Sequence, residues 1–479
     1  MMSKKCSNKF DRIREFITQK LVEMSVSSAA VAVAQEGEII WEEGFGWADS
    51  QRRIKSNEHT MYSLASISKP ITATGFMILK ERGLVELDKP FNDYLDEAKI
   101  TARIGKAEDA TVRRVANHSS GMGLHYQFFC RDESYPRPPM DETIRRYAKL
   151  FTLPGERYQY CNLGYGLMDY AISRLSGLSY EDFMRTEVFL PLGMTHTSIN
   201  IDPGLEDYQA IRYGSDGLPI PFYDFDHPGA SAVYSSVHDL IRFGMFHLKN
   251  HLSHQKQIIT DETIDEMQVP TADIDSSSGY GIGWRIGRNS EGLMTVAHTG
   301  GMGGVRTILS LQPEHGTAIA VLTNASSSLS WMIHEEILKV MFPDEIKKKE
   351  ADKDESSEPE PFQPGDELRG KWSGNIHTYK CDIPLNIWFK ESGDVHVQME
   401  NQLKTLVNNV TFKDNWIRGV LMGDIGTEDS NRRRYYLHLD MKLRGDVING
   451  AIISISLPGE KMGNALSHWI EVTRETDGD

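Results

Sequence analysis

Apolar and polar positions alternate along this chain with two different periods. Between residues 10 and 24, Phe10, Ile13, Phe16, Ile17, Leu21 and Met24 recur at helical spacing and predict an amphipathic first helix. Residues 29–34 and 39–47 then read as two strands, joined by the turn Gln35-Glu36-Gly37-Glu38. A long apolar segment with Ile71, Phe76, Met77, Ile78 and Leu79 predicts a helix ending at Arg82-Gly83, and Leu87-Asp88-Lys89-Pro90 marks a turn. Residues 111–116 form a short helix, followed by a small-residue loop through 118–123. Residues 125–140, rich in Tyr, Phe and Pro, read as an irregular aromatic loop.

Helical patterns return at 142–151, 163–176, 180–189 and 237–249. From 280 to 323 the period changes to that of strands, over 282–286, 294–298, 305–311 and 318–322, and 329–341 reads as a closing helix. Residues 343–366 are charged, Pro-bearing and nearly free of apolar residues, which is the composition of a linker. Beyond it, residues 367–479 hold short alternating segments: 386–389, 395–399, 435–439, 448–455 and 469–472. They predict an all-β module, a sandwich or barrel. The expected organisation is therefore one region over 1–342, a charged linker over 343–366 and an all-β domain over 367–479.

Composition narrows the function classes. Of 479 residues, 39% are hydrophobic and 25% charged, as in ordinary globular proteins. The net charge of −16 argues against nucleic-acid or anionic-membrane partners, which need a positive field. No run approaches the roughly 18 apolar residues of a membrane span, and no apolar segment follows the charged N-terminus, so a cytoplasmic protein is expected. Cys6, Cys130, Cys161 and Cys381 are scattered without CxxC spacing and read as free thiols. No HExxH cluster appears among 16 histidines. His247, His251 and His254 read as a solvated helix end, so no metal or cofactor is expected.

Three short motifs carry the candidate chemistry. Ser66 and Lys69, in Ser66-Ile67-Ser68-Lys69, share a helix face. An amine whose pKa is lowered by desolvation or nearby cations can activate the hydroxyl, and helix N-terminal N–H groups favour developing negative charge. Tyr160-Cys161-Asn162 lies between helices, and His298-Thr299-Gly300 closes a strand. Each motif is weak alone; the three in this order, on these element types, are not a chance set.

Carrying these motifs, the chain resembles the serine β-lactamase-like hydrolases, in particular the class C branch with its penicillin-binding proteins, esterases and D-amino-acid-specific peptidases. Met61-Tyr62-Ser63-Leu64-Ala65-Ser66, His118-Ser119-Ser120-Gly121, Pro191-Leu192-Gly193-Met194 and Tyr280-Gly281-Ile282-Gly283-Trp284 add to the resemblance, which covers roughly residues 10–342. It implies an α/β sandwich with a mainly antiparallel sheet, helices on both faces and a helical lobe. It implies Ser66 as nucleophile, Lys69 or a Tyr160 phenol of lowered pKa as base, and Asn162 as a hydrogen-bonding partner of Lys69 or substrate. His298, Thr299 and Gly300 would bind substrate, with the N–H groups of Ser66 and Gly301 as oxyanion hole. The expected activity is hydrolysis of an ester, a D-residue amide or a β-lactam. A catalytically weak penicillin-binding or ligand-binding scaffold is the alternative.

His298 stands where β-lactamases usually carry Lys, so a weaker, pH-dependent positive charge is expected there; Arg306 reads as an exposed strand residue. Cys161 reads as a packing residue. Leu368-Arg369-Gly370-Lys371-Trp372-Ser373-Gly374 resembles the first strand of a lipocalin-like barrel, an appendage of the CubicO-like group that takes part in assembly and in covering the active site.

Overall fold

The computed structural model describes residues 8–347, 362–457 and 463–475; most of the expected linker, and Cys6, lie outside them. The first helix, α1 (Asp11–Glu23), leads into β1 (Ser28–Gln35) and β2 (Glu38–Asp49). Gln35 pairs with Glu38, so the hairpin loop has two residues. Glu36 and Gly37 both take positive φ, 51° and 83°, as the right-handed strand twist favours in such a loop.

These strands belong to a nine-stranded antiparallel sheet. Its other members are β3 (Ile54–Lys55), β4 (Ala272–Asp273), β5 (Ser278–Tyr280), β6 (Arg285–Arg288), β7 (Met294–Met302), β8 (Val305–Gln312) and β9 (Thr317–Thr323). The order is β4-β5-β6-β7-β8-β9-β1-β2-β3, so β9 closes against β1 from the far end of the sequence. β1 is buried on both sides. Ala29, Val31 and Val33 face α1 and α5 (Leu329–Met341). Ala30, Ala32 and Ala34 face the core shared with α2 (Ser68–Glu81) and α4 (Val237–His247). Small residues on that face let α4 come close: a Cβ on its Gly244 would lie 3.2 Å from Ala318 Cβ. α2 also packs on α3 (Asn162–Ser176) in a helical lobe beside the sheet.

Two expected elements differ. The strand expected at 282–286 is a turn over 281–284 between β5 and β6. Ile282 and Trp284 alternate like strand residues because both are buried from this turn, and Gly283 passes so close to α2 that a Cβ would sit 2.9 Å from Pro70 Cα. The helix expected over 142–151 spans Met140–Tyr147, after which Lys149–Leu150 pairs in parallel with Thr101–Ala102.

The C-terminal strands are β10 (Gly370–His377), β11 (Asp382–Phe389), β12 (Val395–Met399), β13 (Thr405–Leu406), β14 (Asn408–Lys413), β15 (Trp416–Leu421), β16 (Tyr435–Arg444), β17 (Val447–Ser456) and β18 (Ala465–Arg474). Their order is β13-β12-β11-β10-β18-β17-β16-β15-β14. The two end strands are separated in sequence by Val407 alone, so the sheet curls into a nearly closed barrel. Alternate residues such as Trp372, Ile387, Val397, Leu439 and Ile470 fill its interior. The expected aromatic loop docks on this barrel. His125 and Tyr126 pair with Leu466 and Ala465 of β18, and Phe151 packs with Ile453 and Trp469.

Candidate active site

Ser66 is presented by a strained, tightly supported turn. The short strand Tyr62–Ser63 enters the 3-10 turn Ala65–Ile67, which continues into α2. Ala65 takes a left-handed backbone, φ 49°, which costs a non-glycine residue about 1–2 kcal/mol and survives only where its surroundings impose it. From Met61 to Leu79 every side chain is buried except Ser66. Beneath the turn, Thr307 Oγ1 on β8 donates to Leu64 O at 2.9 Å. A Cβ on Gly300 would sit 2.1 Å from that same carbonyl oxygen. The glycine of His298-Thr299-Gly300 is thus required by the approach of the Ser66 turn to β7. Gly300 supports the turn, while Thr299, Gly301 and His298 line the cleft with Ser66.

Lys69 is fully buried, with Nζ 3.1 Å from Ser66 Oγ and donating to Ala230 O at 3.2 Å. It lies 4.7 Å from the centre of the Tyr160 ring and 5.8 Å from that of Tyr165. Burial holds its pKa well below the ordinary lysine value, opposed by the neighbouring Cys161. Tyr160 behaves otherwise than the sequence suggested. Burial pushes its phenol well above the ordinary tyrosine value, against a hydrogen bond with Ser66 that acts the other way. Desolvation outweighs the nearby cation because that cation is itself desolvated and favours its neutral form. The buried Cys161 thiol is pushed up to about 11, chiefly by burial, and stays protonated. Asn162 opens α3, buried, and its Oδ1 has no hydrogen-bond partner among the described residues.

His118 holds this segment in place. Its carbonyl accepts from Gln159 N–H at 2.6 Å and its Nδ1 from Cys161 N–H at 3.2 Å, on either side of Tyr160. The two rings lie 4.4 Å apart.

His298 is not a source of charge. It is buried, with Nδ1 2.8 Å from Thr299 O and Nε2 2.8 Å from Tyr280 Oη. The carbonyl requires N–H at Nδ1, while the Tyr280 hydroxyl can serve Nε2 as donor or acceptor. Burial, then the Lys69 charge, lowers its pKa to about 3. The expected pH-dependent cation is therefore absent at neutral pH. Arg306 is partly buried and turned back, donating to Val305 O at 2.9 Å. The guanidinium groups at the cleft are those of Arg285 and Arg288. Arg285 donates to Ser278 Oγ at 3.0 Å. The cleft holds about 660 Å³, and Tyr158 and Tyr280 add aromatic walls. Of the residues the sequence motifs left without a role, His118 and Tyr280 sit inside quoted family matches. Tyr158 and Arg285 carry no pattern that would have singled them out.

His247 also departs from expectation. It is turned inward, 2.9 Å from Thr74 Oγ1, whereas His251 pairs with Asp261 and His254 is exposed. With it, His118, His298, His334 and His468 are buried, and all five are held below the ordinary histidine value, mainly by desolvation. The values are about 3 for His247 and His298 and about 4 for His334 and His468. On acidification the unfolded chain takes a proton at each near pH 6.5 while the folded chain does not. Stability present above that pH should therefore be lost as pH falls toward the folded values, by up to about 1.4 kcal/mol per pH unit for each group. Urea midpoints at pH 7, 6 and 5 should fall steadily; a flat profile would contradict this account.

No described helix is long and apolar enough to cross a membrane. Cys130, Cys161 and Cys381 are free thiols. A family model described as Beta-lactamase matches residues 13–333. Penicillin-binding protein 4* of Bacillus subtilis (strain 168) is 25% identical over 354 residues, 68% of this chain and 75% of that protein. The octameric penicillin-binding protein homologue from Pyrococcus abyssi has a similar fold, with TM-score 0.61 and 21% identity, covering 97% of this chain and 99% of that one. A class C beta-lactamase superposes with TM-score 0.60 and 17% identity over 71% of this chain and 96% of its own. With its sheet, helical lobe and motif residues inside the matched span, this chain belongs to the beta-lactamase family.

Proposed function

We propose that this protein is a serine hydrolase that acts through an acyl-enzyme on Ser66. The observation that carries the reading is the pairing of Ser66 Oγ with a fully buried amine at 3.1 Å. Desolvation favours the neutral amine, so Lys69 takes the Ser66 proton as Oγ attacks a carbonyl carbon. Ser66 N–H and Gly301 N–H receive the oxyanion, aided by the helix terminus. Lys69 and Tyr160 work as a coupled pair. The proton reaches the leaving atom through the Tyr160 hydroxyl, and Tyr160 then orients the water that releases the acyl group. The unpartnered Asn162 Oδ1 accepts from the Lys69 ammonium or a substrate amide.

The substrate is an ester, a D-residue amide or a β-lactam, and the neutral His298 favours the ester. The free thiols are in keeping with a cytoplasmic enzyme. The hydrolase region, charged linker and β-region stand as separate units in this reading. The barrel is lipocalin-like, with Trp372 buried in its interior and Arg474 over its ring at 4.9 Å, and takes part in homo-oligomer assembly. The deciding measurement compares rates per active site on p-nitrophenyl butyrate, D-Ala-p-nitroanilide and a chromogenic cephalosporin. The butyrate should be fastest; a cephalosporin faster by orders of magnitude would refute the role given to His298.

A further inference from the structure

A second cleft, of about 410 Å³, lies between the candidate active site and the outer wall of the barrel. Tyr158 and Tyr160 form one side; Val420 of β15, His438 of β16, and Ile453 and Ile455 of β17 form the other. The same two tyrosines line the cleft that contains Ser66, so the two spaces share one wall.

That wall is held against the barrel by charge. Glu156 accepts from Lys442 Nζ at 2.6 Å and Arg444 Nη2 at 2.7 Å. Arg157 donates to Asp440 at 3.2 Å and lies 3.6 Å from the centre of the Trp416 ring, and Arg418 reaches Asp440 at 3.1 Å. The Glu156, Arg157, Asp440, Lys442 and Arg444 side chains are largely buried and paired at the rim, three cations on two carboxylates. Between Tyr158–Tyr160 and the barrel, Val420, Ile453 and Ile455 supply an aliphatic strip, with Asn409, Arg418 and His438 as its polar margin.

The proton path sets what the second cleft can receive. Lys69 is fully buried, whereas Tyr160 is partly exposed and lines the cleft with Ser66. The departing atom must collect its proton where the pair meets the cleft, at the Tyr160 hydroxyl. Tyr160 lines both spaces, so a leaving group protonated at its hydroxyl lies at the border of the Ser66 cleft and the second cleft.

We propose that the cleft between Tyr158–Tyr160 and the barrel is a leaving-group subsite for an extended apolar alcohol or amine, with the barrel wall supplying its selectivity. The proposal rests on the acyl-Ser66 reading and adds the side of the scissile bond on which the barrel acts.

The test uses the full chain and two ester series. One holds the acyl group as acetyl and lengthens the alcohol from phenol to 4-butylphenol and 4-octylphenol, whose acidities are close. The other holds phenol and lengthens the acyl chain to octanoyl. In the first series kcat/KM should rise at least tenfold, with the gain mostly in KM; the second should rise less. Val420→Trp should cut the ratio of 4-octylphenyl to phenyl acetate at least fivefold, and His438→Trp should do the same should the first variant fold poorly. A flat alcohol series, a steeper acyl series, or ratios unmoved by both variants overturns the subsite, and fluorophosphonate labelling of Ser66 then shows that the hydrolase reading still stands. No turnover of any ester together with no labelling overturns both.

Discussion

Ser66→Ala is expected to abolish covalent labelling by a fluorophosphonate and to lower ester turnover by at least about 10⁴-fold, the scale seen when the nucleophile of a coupled catalytic set is removed. The change deletes one partly exposed hydroxyl in a turn whose shape is fixed by Ala65, Gly300 and the Thr307–Leu64 hydrogen bond. Thermal unfolding should therefore stay close to the parent, and lost activity would report chemistry. Labelling that persists in the variant, or turnover within tenfold of the parent, would remove Ser66 from the mechanism. A parent protein that neither labels nor turns over any ester would instead favour the scaffold alternative.

Asp226→Ala should cost about 3–5 kcal/mol of folding stability. Asp226 is buried between two buried imidazoles, with His125 Nε2 at 2.8 Å and His227 Nδ1 at 2.6 Å. These are hydrogen-bond distances, with each ring donating N–H to a carboxylate oxygen. Burial by itself would raise the carboxyl pKa, but His125 and then His227 outweigh it and hold the group below its ordinary value. Its contribution is therefore complete above the ordinary carboxylate pKa, near 3.8, and is lost only as pH falls below it. The alanine leaves two buried donors unpaired, whereas Asp226→Asn keeps one acceptor and should cost less. Denaturant unfolding at pH 7 gives the comparison; a loss under about 1 kcal/mol, or an asparagine worse than alanine, would show that the cluster is not the joint described. His125 pairs with Leu466 of β18 and His227 precedes the turn whose Ala230 carbonyl holds Lys69, so the cluster ties the barrel edge to the floor of the site.

Much of the fold was legible locally. The helix read at 329–341 is α5 to the residue, because its apolar stripe faces one sheet and its other face is solvated. The two-residue hairpin at Glu36-Gly37 follows from local backbone preference. Reading failed where burial came from elsewhere in the chain. Ile282 and Trp284 look like strand residues, yet they are buried from a turn pressed on α2. His247 looks like a helix-end histidine, yet it meets Thr74 inside the core.

The candidate site divides in the same way. Spacing along the chain dictates which residues can meet: Ser66 and Lys69 three apart at a helix start, Tyr160 and Asn162 at another, and a glycine two residues after His298. Those are facts of spacing, and spacing within one element survives folding. Their protonation and charge come instead from packing between distant elements. Lys69 is lowered and Tyr160 raised mainly by desolvation, in a site where Lys69 meets the Ala230 carbonyl from a distant part of the chain. His298 is neutral because burial, and then the nearby Lys69, outweigh the Thr299 carbonyl that accepts from its ring. The clamp from Glu156 and Arg157 to β16 likewise joins positions nearly 300 residues apart, a distance across which no local pattern extends.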